Sequence, residues 1–321
     1  MRVPWGTRIF QGMMTMKTVT PDCCKGFSCI AGACRHSCCL GWEIDIDEET
    51  LRRYQTVPGA LGERLREAIE ETDGAAHFRL TPEERCPFLN GDNLCDLIIA
   101  MGEDSLCQIC ADHPRFRSEW SDRTEVGFGL CCEAAGRLIL GWREPVRLVT
   151  VDDDGAEEEP DEEEAALLAL RDELIAQMQN RAMPFEDRLN ALSERCRYPD
   201  RPWHEWRDFL LSLERLDSAW ETALNALPDD PPPLGPEWDV PFEQLAVYLL
   251  FRHLPGALED GDVQGRARFC VLVTELLRAL LAVRSEPTME GLVELTRLYS
   301  SEIEYSDENV GAILDELARL G

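Results

Sequence analysis

The hydrophobic residues of the C-terminal half recur at steps of three and four, which is the spacing of one face of an α-helix. One such face runs from Phe209 to Leu227, and Pro228 with the prolines at 231–233 would end that helix. Most of these apolar side chains are interpreted as core, so residues 165–321 are predicted to form a helical domain. Similar apolar runs follow at Phe242–Leu254, Ala267–Val283, Leu292–Leu298 and Val310–Leu320.

The N-terminal half shows much weaker periodicity. Short strands are expected at Trp42–Ile46 and Val146–Val151, and a helix is expected from Glu48 towards Tyr54. The whole pattern therefore predicts a mainly α protein, in which an N-terminal region with few short strands precedes the helical domain.

A run of acidic residues separates the two regions. Residues 152–164 contain ten Asp or Glu, no Lys or Arg, and both Gly155 and Pro160. Because such a run repels itself and cannot be buried, it is predicted to be a linker, with an acidic partner-docking segment as the alternative. Residues 1–16 include several methionines and are expected to be disordered or to reflect a misassigned start.

Charge excludes some classes of partner. The 321 residues carry 62 acidic and 32 basic side chains, for a formal charge of −30. Nucleic acids and anionic membranes are bound mainly through Lys and Arg, so neither is an expected partner. A lysine-bearing protein is compatible with the acidic charge. No run of about 20 apolar residues predicts a membrane span, and Met1–Phe10 lacks the apolar stretch of a signal peptide. A cytoplasmic protein is therefore expected.

Cysteine is the residue type that says most about the chemistry of the N-terminal region. Twelve of the 14 cysteines lie between Cys23 and Cys132, and the remaining two, Cys196 and Cys270, are interpreted as buried structural thiols. Cytoplasmic thiols stay reduced, and clustered ones more often bind metal than form disulfides. Residues 17–151 are therefore predicted to form a cysteine-rich domain that binds a metal or an iron–sulfur cluster.

The cysteine spacings leave the metal open. The groups are Cys29-x4-Cys34-x3-Cys38-Cys39, Cys86-x8-Cys95, Cys107-x2-Cys110 and Cys131-Cys132. A structural zinc site requires four ligands in tetrahedral geometry, and a cubane iron–sulfur cluster binds up to four thiolates. The spacings match neither the paired CxxC of common zinc sites nor the CxxxCxxC of radical enzymes that cleave S-adenosylmethionine (SAM).

One late segment combines carboxylates and phenols. Between Arg297 and Asn309 the chain contains three Glu, one Asp and two Tyr. Such groups could hold a lysine ammonium and later accept its proton. A solvated loop followed by a helix cap at Asp307 is the simpler interpretation, and the sequence alone favours it.

Several motifs, in order along the chain, resemble the flagellin lysine-N-methylase family. The resemblance extends over nearly the whole chain from about Met13. The motifs are Phe27-Ser28-Cys29, Cys34, Ser37–Trp42 with Ile44–Asp47, Arg85–Leu89, Leu94-Cys95, Gly102-Glu103, Leu106–Cys110 with His113–Arg115, Val247–Arg252, Asp260–Asp262 and Arg297–Asn309.

The resemblance implies transfer of a methyl group from SAM to lysine side chains of flagellin or a flagellin-like protein. It also implies a cysteine-ligated [4Fe–4S] cluster near the SAM site, in place of a glycine-rich methyltransferase core, which the sequence lacks. The substrate-contacting candidates are Glu302, Glu304, Tyr305 and Asp307. The implied cluster ligands, more than one cubane needs, are Cys29, Cys34, Cys38, Cys39, Cys86, Cys95, Cys107, Cys110 and Cys132.

The chain also departs from the family pattern. It has Cys131-Cys132-Glu133-Ala134 where the family usually has Ser-Cys-Pro-Glu. If that family Glu is catalytic, it is lost here or replaced by Glu133. A non-enzymatic zinc- or iron-binding module that docks a partner is the alternative function, and it predicts tight metal binding without SAM binding.

Overall fold

The fold is taken from a computed structural model of the chain. The expectation for residues 1–16 lies outside the described residues, as does the middle of the acidic run. The structure describes residues 17–41, 44–72, 74–153 and 159–321.

Helices dominate the described residues, which confirms the prediction of a mainly α protein. The strands are β1 (Lys17–Pro21), β2 (Ile44–Asp45), β3 (Ile69–Thr72), β4 (Ala75–Phe78), β5 (Arg115–Glu119), β6 (Arg123–Phe128) and β7 (Leu148–Asp152). The α-helices are α1 (Glu48–Gln55), α2 (Gly59–Ala68), α3 (Asp96–Met101), α4 (Gln108–Asp112), α5 (Glu133–Leu140), α6 (Glu162–Met178), α7 (Phe185–Cys196), α8 (Trp203–Ser212), α9 (Ser218–Asn225), α10 (Asp239–His253), α11 (Ala257–Asp260), α12 (Val263–Ala282), α13 (Met289–Tyr299) and α14 (Asp307–Leu320).

The described residues form two compact units. The cysteine-rich unit comprises residues 28–116, and the helical unit comprises residues 17–27 together with 117–321. This division differs from the one expected at the acidic run, residues 152–164. The difference arises because β1 pairs with β6 and β7, and α5 packs against α10 and α13. This packing does not test whether residues 17–151 and residues 165–321 each fold independently. The expected domain boundaries therefore stay a prediction.

The cysteine-rich unit is built on a small antiparallel sheet with the order β2-β4-β3. Phe78 on β4 lies opposite Ile44 on one side and Ile69 on the other. Its ring packs against Phe88 at a centroid distance of 5.1 Å. Asp47 begins α1 by accepting a hydrogen bond from the Thr50 amide at 2.9 Å, which confirms the helix expected there. This apolar centre also includes cysteines.

The helical unit surrounds two almost fully buried helices, α10 and α12. Both carry mostly apolar side chains and are buried on nearly every side, as expected for helices packed between other helices. A four-stranded sheet with the order β5-β6-β1-β7 forms one side of this unit, and β7 confirms the strand expected near Val146–Val151. None of the described helices is long and apolar enough to cross a membrane.

Two local expectations were wrong in detail. The apolar face from Phe209 to Leu227 is not one helix, because the chain breaks after α8 and restarts at α9, where Asp217 accepts from the Ala219 amide. The N-cap of α14 is Ser306, whose hydroxyl accepts from the Asn309 amide. Asp307 is the first residue of that helix, where a carboxylate also suits the helix dipole. The end of the acidic run begins α6.

Candidate functional site

Five cysteines of the cysteine-rich unit lie against one apolar core. Cys86 and Cys107 belong to it, and Cys39, Cys95 and Cys110 pack against it. We call these five residues the five-thiol group. They come from distant parts of the sequence, so the fold of this unit, and not their spacing, brings them together.

Backbone hydrogen bonds fix three members of the group. The Cys86 amide donates to the Cys39 carbonyl at 2.8 Å. The Leu89 amide donates to the Cys86 carbonyl at 3.0 Å, and Leu89 forms a bridge with Cys95. Pro87 lies between these contacts and keeps the backbone after Cys86 rigid. This local network holds three thiols in register.

The CxxC pair supplies the other two members. Cys107 immediately precedes α4, and Cys110 lies within that helix. The two thiols are hydrogen-bonded to each other, which lowers the pKa of Cys107 and raises that of Cys110. One thiol of the pair is thereby favoured as a thiolate, the form that binds metals.

The five thiols lie close enough together to affect one another's pKa values. Burial, together with charges on Cys39, Cys95 and Cys107, raises the pKa of Cys86 to about 12. A hydrogen bond from Cys38 lowers the pKa of Cys39 to about 7 against the opposing effect of burial. Like charges that oppose one another in this way are stabilised when a cation lies between them.

The remaining cysteines expected as ligands are placed differently. Cys29 and Cys34 lie in turns, where Cys29 accepts from the Ala31 amide and Cys34 donates to the His36 carbonyl. Cys38 joins the five-thiol group through Cys39. Cys132 precedes α5 and belongs to the helical unit.

The donor chemistry of the five-thiol group suits a thiophilic metal, because thiolates are preferred ligands of zinc and of iron–sulfur clusters. The side chains are not yet in coordination geometry. Among the described residues, no three His, Cys, Asp or Glu side chains are arranged to hold a metal ion. The observation that supports metal binding is therefore that five thiol donors lie against the same apolar core.

A second site lies in the helical unit around Glu304. The segment Ser300–Glu304 continues α13 as a π-helical turn, closed by the Tyr305 amide donating to the Ser300 carbonyl at 3.1 Å. The wider turn lets the Ser300 hydroxyl donate to Glu304 Oε2 at 2.6 Å. Such turns are rare and often occur at functional sites.

Helix α10 supplies the other partners of this carboxylate. Tyr248 Oη donates to Oε2 at 2.9 Å, His253 Nε2 lies 3.0 Å from Oε1, and Arg252 Nε lies 3.7 Å from Oε1. The Glu304 side chain is 0% exposed. We call Glu304, Ser300, Tyr248, Arg252 and His253 the carboxylate cluster.

The carboxylate cluster carries no net charge. Burial would raise the pKa of Glu304, but the Arg252 charge and the hydrogen bonds from His253 and Ser300 together lower it to about 2. Burial lowers the pKa of His253, so this imidazole is neutral at pH 7. Burial also opposes the charge on Arg252, but Glu304 and neighbouring tyrosines raise its pKa well above the usual value. One carboxylate and one guanidinium therefore compensate each other.

Tyr305 connects this buried cluster to the surface. The residue is 51% exposed, yet its hydroxyl points inward to Cys131 and its ring lies 4.9 Å from the Arg252 guanidinium carbon. Burial of the hydroxyl, above all, raises the pKa of Tyr305, so the phenol stays protonated at pH 7. Tyr305 is thus the one candidate of the late segment that combines exposure with contact to the cluster.

The other two candidates of that segment are placed elsewhere. Glu302 is buried and accepts from the Leu216 amide at 2.8 Å and the Asp217 amide at 2.7 Å, just before α9. Asp307 is exposed at the start of α14. The structure therefore groups Glu304 with Tyr305, and gives Glu302 a helix-capping role.

Sequence reasoning missed Tyr248, Arg252, His253 and Cys131. A signal existed, because Arg252 and His253 directly follow the largely apolar run Leu245–Phe251 in a helix that is buried on nearly all sides. Buried charged residues are rare unless they are paired. What the sequence cannot supply is the partner, which lies 51 residues from His253.

Part of the chain is similar in sequence to known proteins. Lysine-N-methylases of Salmonella typhimurium and Salmonella choleraesuis are 26% and 25% identical to the chain over 134 and 142 residues. The chain is therefore similar to lysine-N-methylases over part of its length. The flagellar biosynthetic protein FliU of Salmonella muenchen is 25% identical over 134 residues, which is 79% of that protein.

The relation to the lysine-N-methylases covers a limited part of each chain. The match with the two Salmonella enzymes covers 39% of this chain and 33% of theirs, so the chain spans about a third of their length. No protein-family model and no solved structure matches the chain. Because the match is partial, the activity, substrate and cofactor of this chain are matters for proposal.

Proposed function

We propose that this chain transfers a methyl group from SAM to lysine side chains of a protein, with flagellin as the first substrate to test. The observation that carries the proposal is its sequence similarity to two proteins named lysine-N-methylase and to a flagellar protein. The formal charge of −30 agrees with a substrate that presents lysine.

The chemistry sets one requirement on the acceptor. A lysine must be neutral to attack the methyl group, and its usual pKa is about 10.4. Burial in a site of low polarity lowers that value, because it disfavours the charged form. The proposed reaction therefore needs a pocket that receives the amine and removes it from water.

We also propose that the five-thiol group, with Cys38, Cys29 and Cys34 nearby in sequence, holds an iron–sulfur cluster. Support comes from the convergence of the five thiols on one core and from their mutual charge effects. When bound, a [4Fe–4S] cluster with one iron lacking a thiolate offers a site for the amino and carboxylate groups of SAM.

The test is methyl transfer by the full chain, purified without air. The protein is incubated with isotopically labelled SAM and flagellin, and label on lysine is located by peptide mass spectrometry. A flagellin whose surface lysines are replaced by arginine is the substrate control. Label on lysine of the first flagellin only is expected, and no label on either would reject the proposal.

A docking module without enzymatic activity is the competing function. It predicts metal content without SAM binding, so calorimetry with SAM on the same preparation separates the two functions.

A matched pair of variants tests the metal site. Cys107→Ser removes a member of the five-thiol group, and Cys270→Ser removes a buried thiol of α12. Loss of iron and sulfide in Cys107→Ser alone is expected. Equal metal content in both variants would remove the five-thiol group as the site.

A further inference from the structure

The buried carboxylate of the helical unit is not available to a substrate. Glu304 Oε2 already accepts from Tyr248 and Ser300, and Oε1 from His253. A lysine ammonium would have to displace one of these donors and would approach the Arg252 guanidinium. A cation entering this cluster is therefore opposed, and a neutral amine is not.

Tyr305 closes the outer end of the same cluster. It is half exposed, while the Arg252 side chain beneath it is only 11% exposed. The Tyr305 hydroxyl faces the Cys131 sulfur, which also interacts with the Ser300 hydroxyl. Tyr305 follows the π-helical turn and precedes the N-cap of α14, so it stands at a joint between two helices.

Gly129 leaves the room that Tyr305 occupies. A Cβ atom at this position would lie 2.5 Å from Tyr305 Oη and 3.2 Å from Arg252 Nη1. The next residue, Leu130, donates its amide to Tyr248 Oη at 3.3 Å. The glycine therefore permits the close approach of a phenol and a guanidinium to the backbone.

We propose that Tyr305 is a lid over a small amine site formed by Gly129, Cys131 and Arg252, and that the acceptor lysine meets Tyr305 on entering this site. The proposal rests on the proposed function for the identity of the amine. Rotation of the Tyr305 side chain vacates a space lined by backbone, thiol and guanidinium. A neutral amine entering that space is shielded from water, and the nearby guanidinium disfavours its protonation. Glu304 acts as a positioning residue, since it reaches the site through Arg252 and Tyr248.

The lid is tested by the reactivity of Cys131 towards iodoacetamide, followed by peptide mass spectrometry on the full chain. Tyr305→Ala is expected to raise the alkylation rate of Cys131 about tenfold, because thiol reactivity follows access. Gly129→Ala should act in the same direction, since its methyl group displaces the hydroxyl. Tyr305→Phe keeps the ring and should change the rate much less.

Two controls separate lid opening from unfolding. Cys270 is 2% exposed and must stay unmodified in every variant. Leu216→Ala removes a large exposed side chain elsewhere in the same unit and should leave the Cys131 rate unchanged. An unchanged Cys131 rate in Tyr305→Ala would overturn the lid.

A peptide experiment tests the amine. A lysine peptide should slow the alkylation of Cys131 in the unaltered protein, and the same peptide with norleucine in place of lysine should not. Equal protection by both would reject amine recognition.

The same peptides distinguish this inference from the proposed function. Protection by the lysine peptide without methyl transfer would reject the methyltransferase and keep the amine site. Methyl transfer with unchanged KM and kcat in Tyr305→Ala would keep the enzyme and reject the lid.

Discussion

The two candidate sites of this protein are built in opposite ways. The five-thiol group is assembled from turns and short helices of the cysteine-rich unit, and its thiols oppose one another electrostatically. The carboxylate cluster is built on α10 and a π-helical turn, and every oxygen of its carboxylate has a partner. The first arrangement gains stability when a cation is added, whereas the second is complete as it stands. A metal is therefore expected to stabilise one unit and not the other.

Metal removal should give the largest difference between the two units. Structural thiolate sites contribute on the order of 10 kcal/mol to folding. After chelation, or in Cys107→Ser, peptides from residues 28–116 should lose protection in hydrogen exchange, while those from α10 and α12 should keep it. Equal protection before and after removal would contradict a structural metal in the cysteine-rich unit.

Neutralising Glu304 should be the most damaging single change in the carboxylate cluster. Glu304→Gln leaves the Arg252 charge buried without its counter-ion, which costs about 3 kcal/mol in the free energy of unfolding. The pKa of Glu304 is lowered, so its contribution is present above pH 4.5 and is lost as the pH falls towards about 2. The variant should therefore show a weaker acid dependence in denaturant unfolding.

A surface pair provides the matched control for that change. Glu173 pairs with Arg195 at 2.8 Å, and its side chain is 63% exposed. Glu173→Gln should leave the free energy of unfolding almost unchanged, because water and salt screen an exposed ion pair. Comparable losses in the two variants would mean that the carboxylate cluster is not the tightly coupled centre that its geometry indicates.

A carboxylate on α12, Glu275, should affect the pH dependence of stability in the opposite sense to Glu304. Burial, together with the nearby charge of Glu186, raises the pKa of Glu275 to about 7, against the effect of Arg278. A raised carboxyl pKa stabilises the fold at low pH, and that contribution is lost as the pH rises through about 7. Glu275→Gln should therefore be more stable than the unaltered protein by about 3 kcal/mol at pH 8, and equal to it below pH 4.5. A difference that persists at low pH would show that burial of this charge is not the cause.

Glu302 can be compared with Glu304, because both residues belong to the same π-helical turn. It stands two residues before Glu304, but it caps the start of α9 with both oxygens. Glu302→Gln keeps one acceptor and should cost about 1 kcal/mol, without changing Cys131 reactivity. An increase in that reactivity would extend the carboxylate cluster to Glu302.

Much of the helical architecture could be read from the chain because periodic apolar residues report a buried helix face directly. The break between α8 and α9 was missed because Leu213 and Leu216 continue the periodic pattern through it, although Asp217 can begin a new helix. The grouping of Glu304 with Tyr305 was suggested by their adjacency. Their partners on α10 lie 51 to 56 residues away and were not found.

The sequence by itself determined the mainly α class, the concentration of cysteine before residue 133 and the acidic balance, because composition and periodicity are local properties of a chain. The tertiary structure decided which thiols share a core, which carboxylate of the late segment is buried against α10, and which phenol remains at the surface. Those properties depend on long-range packing, where a residue's chemistry is set by the neighbours that the fold supplies.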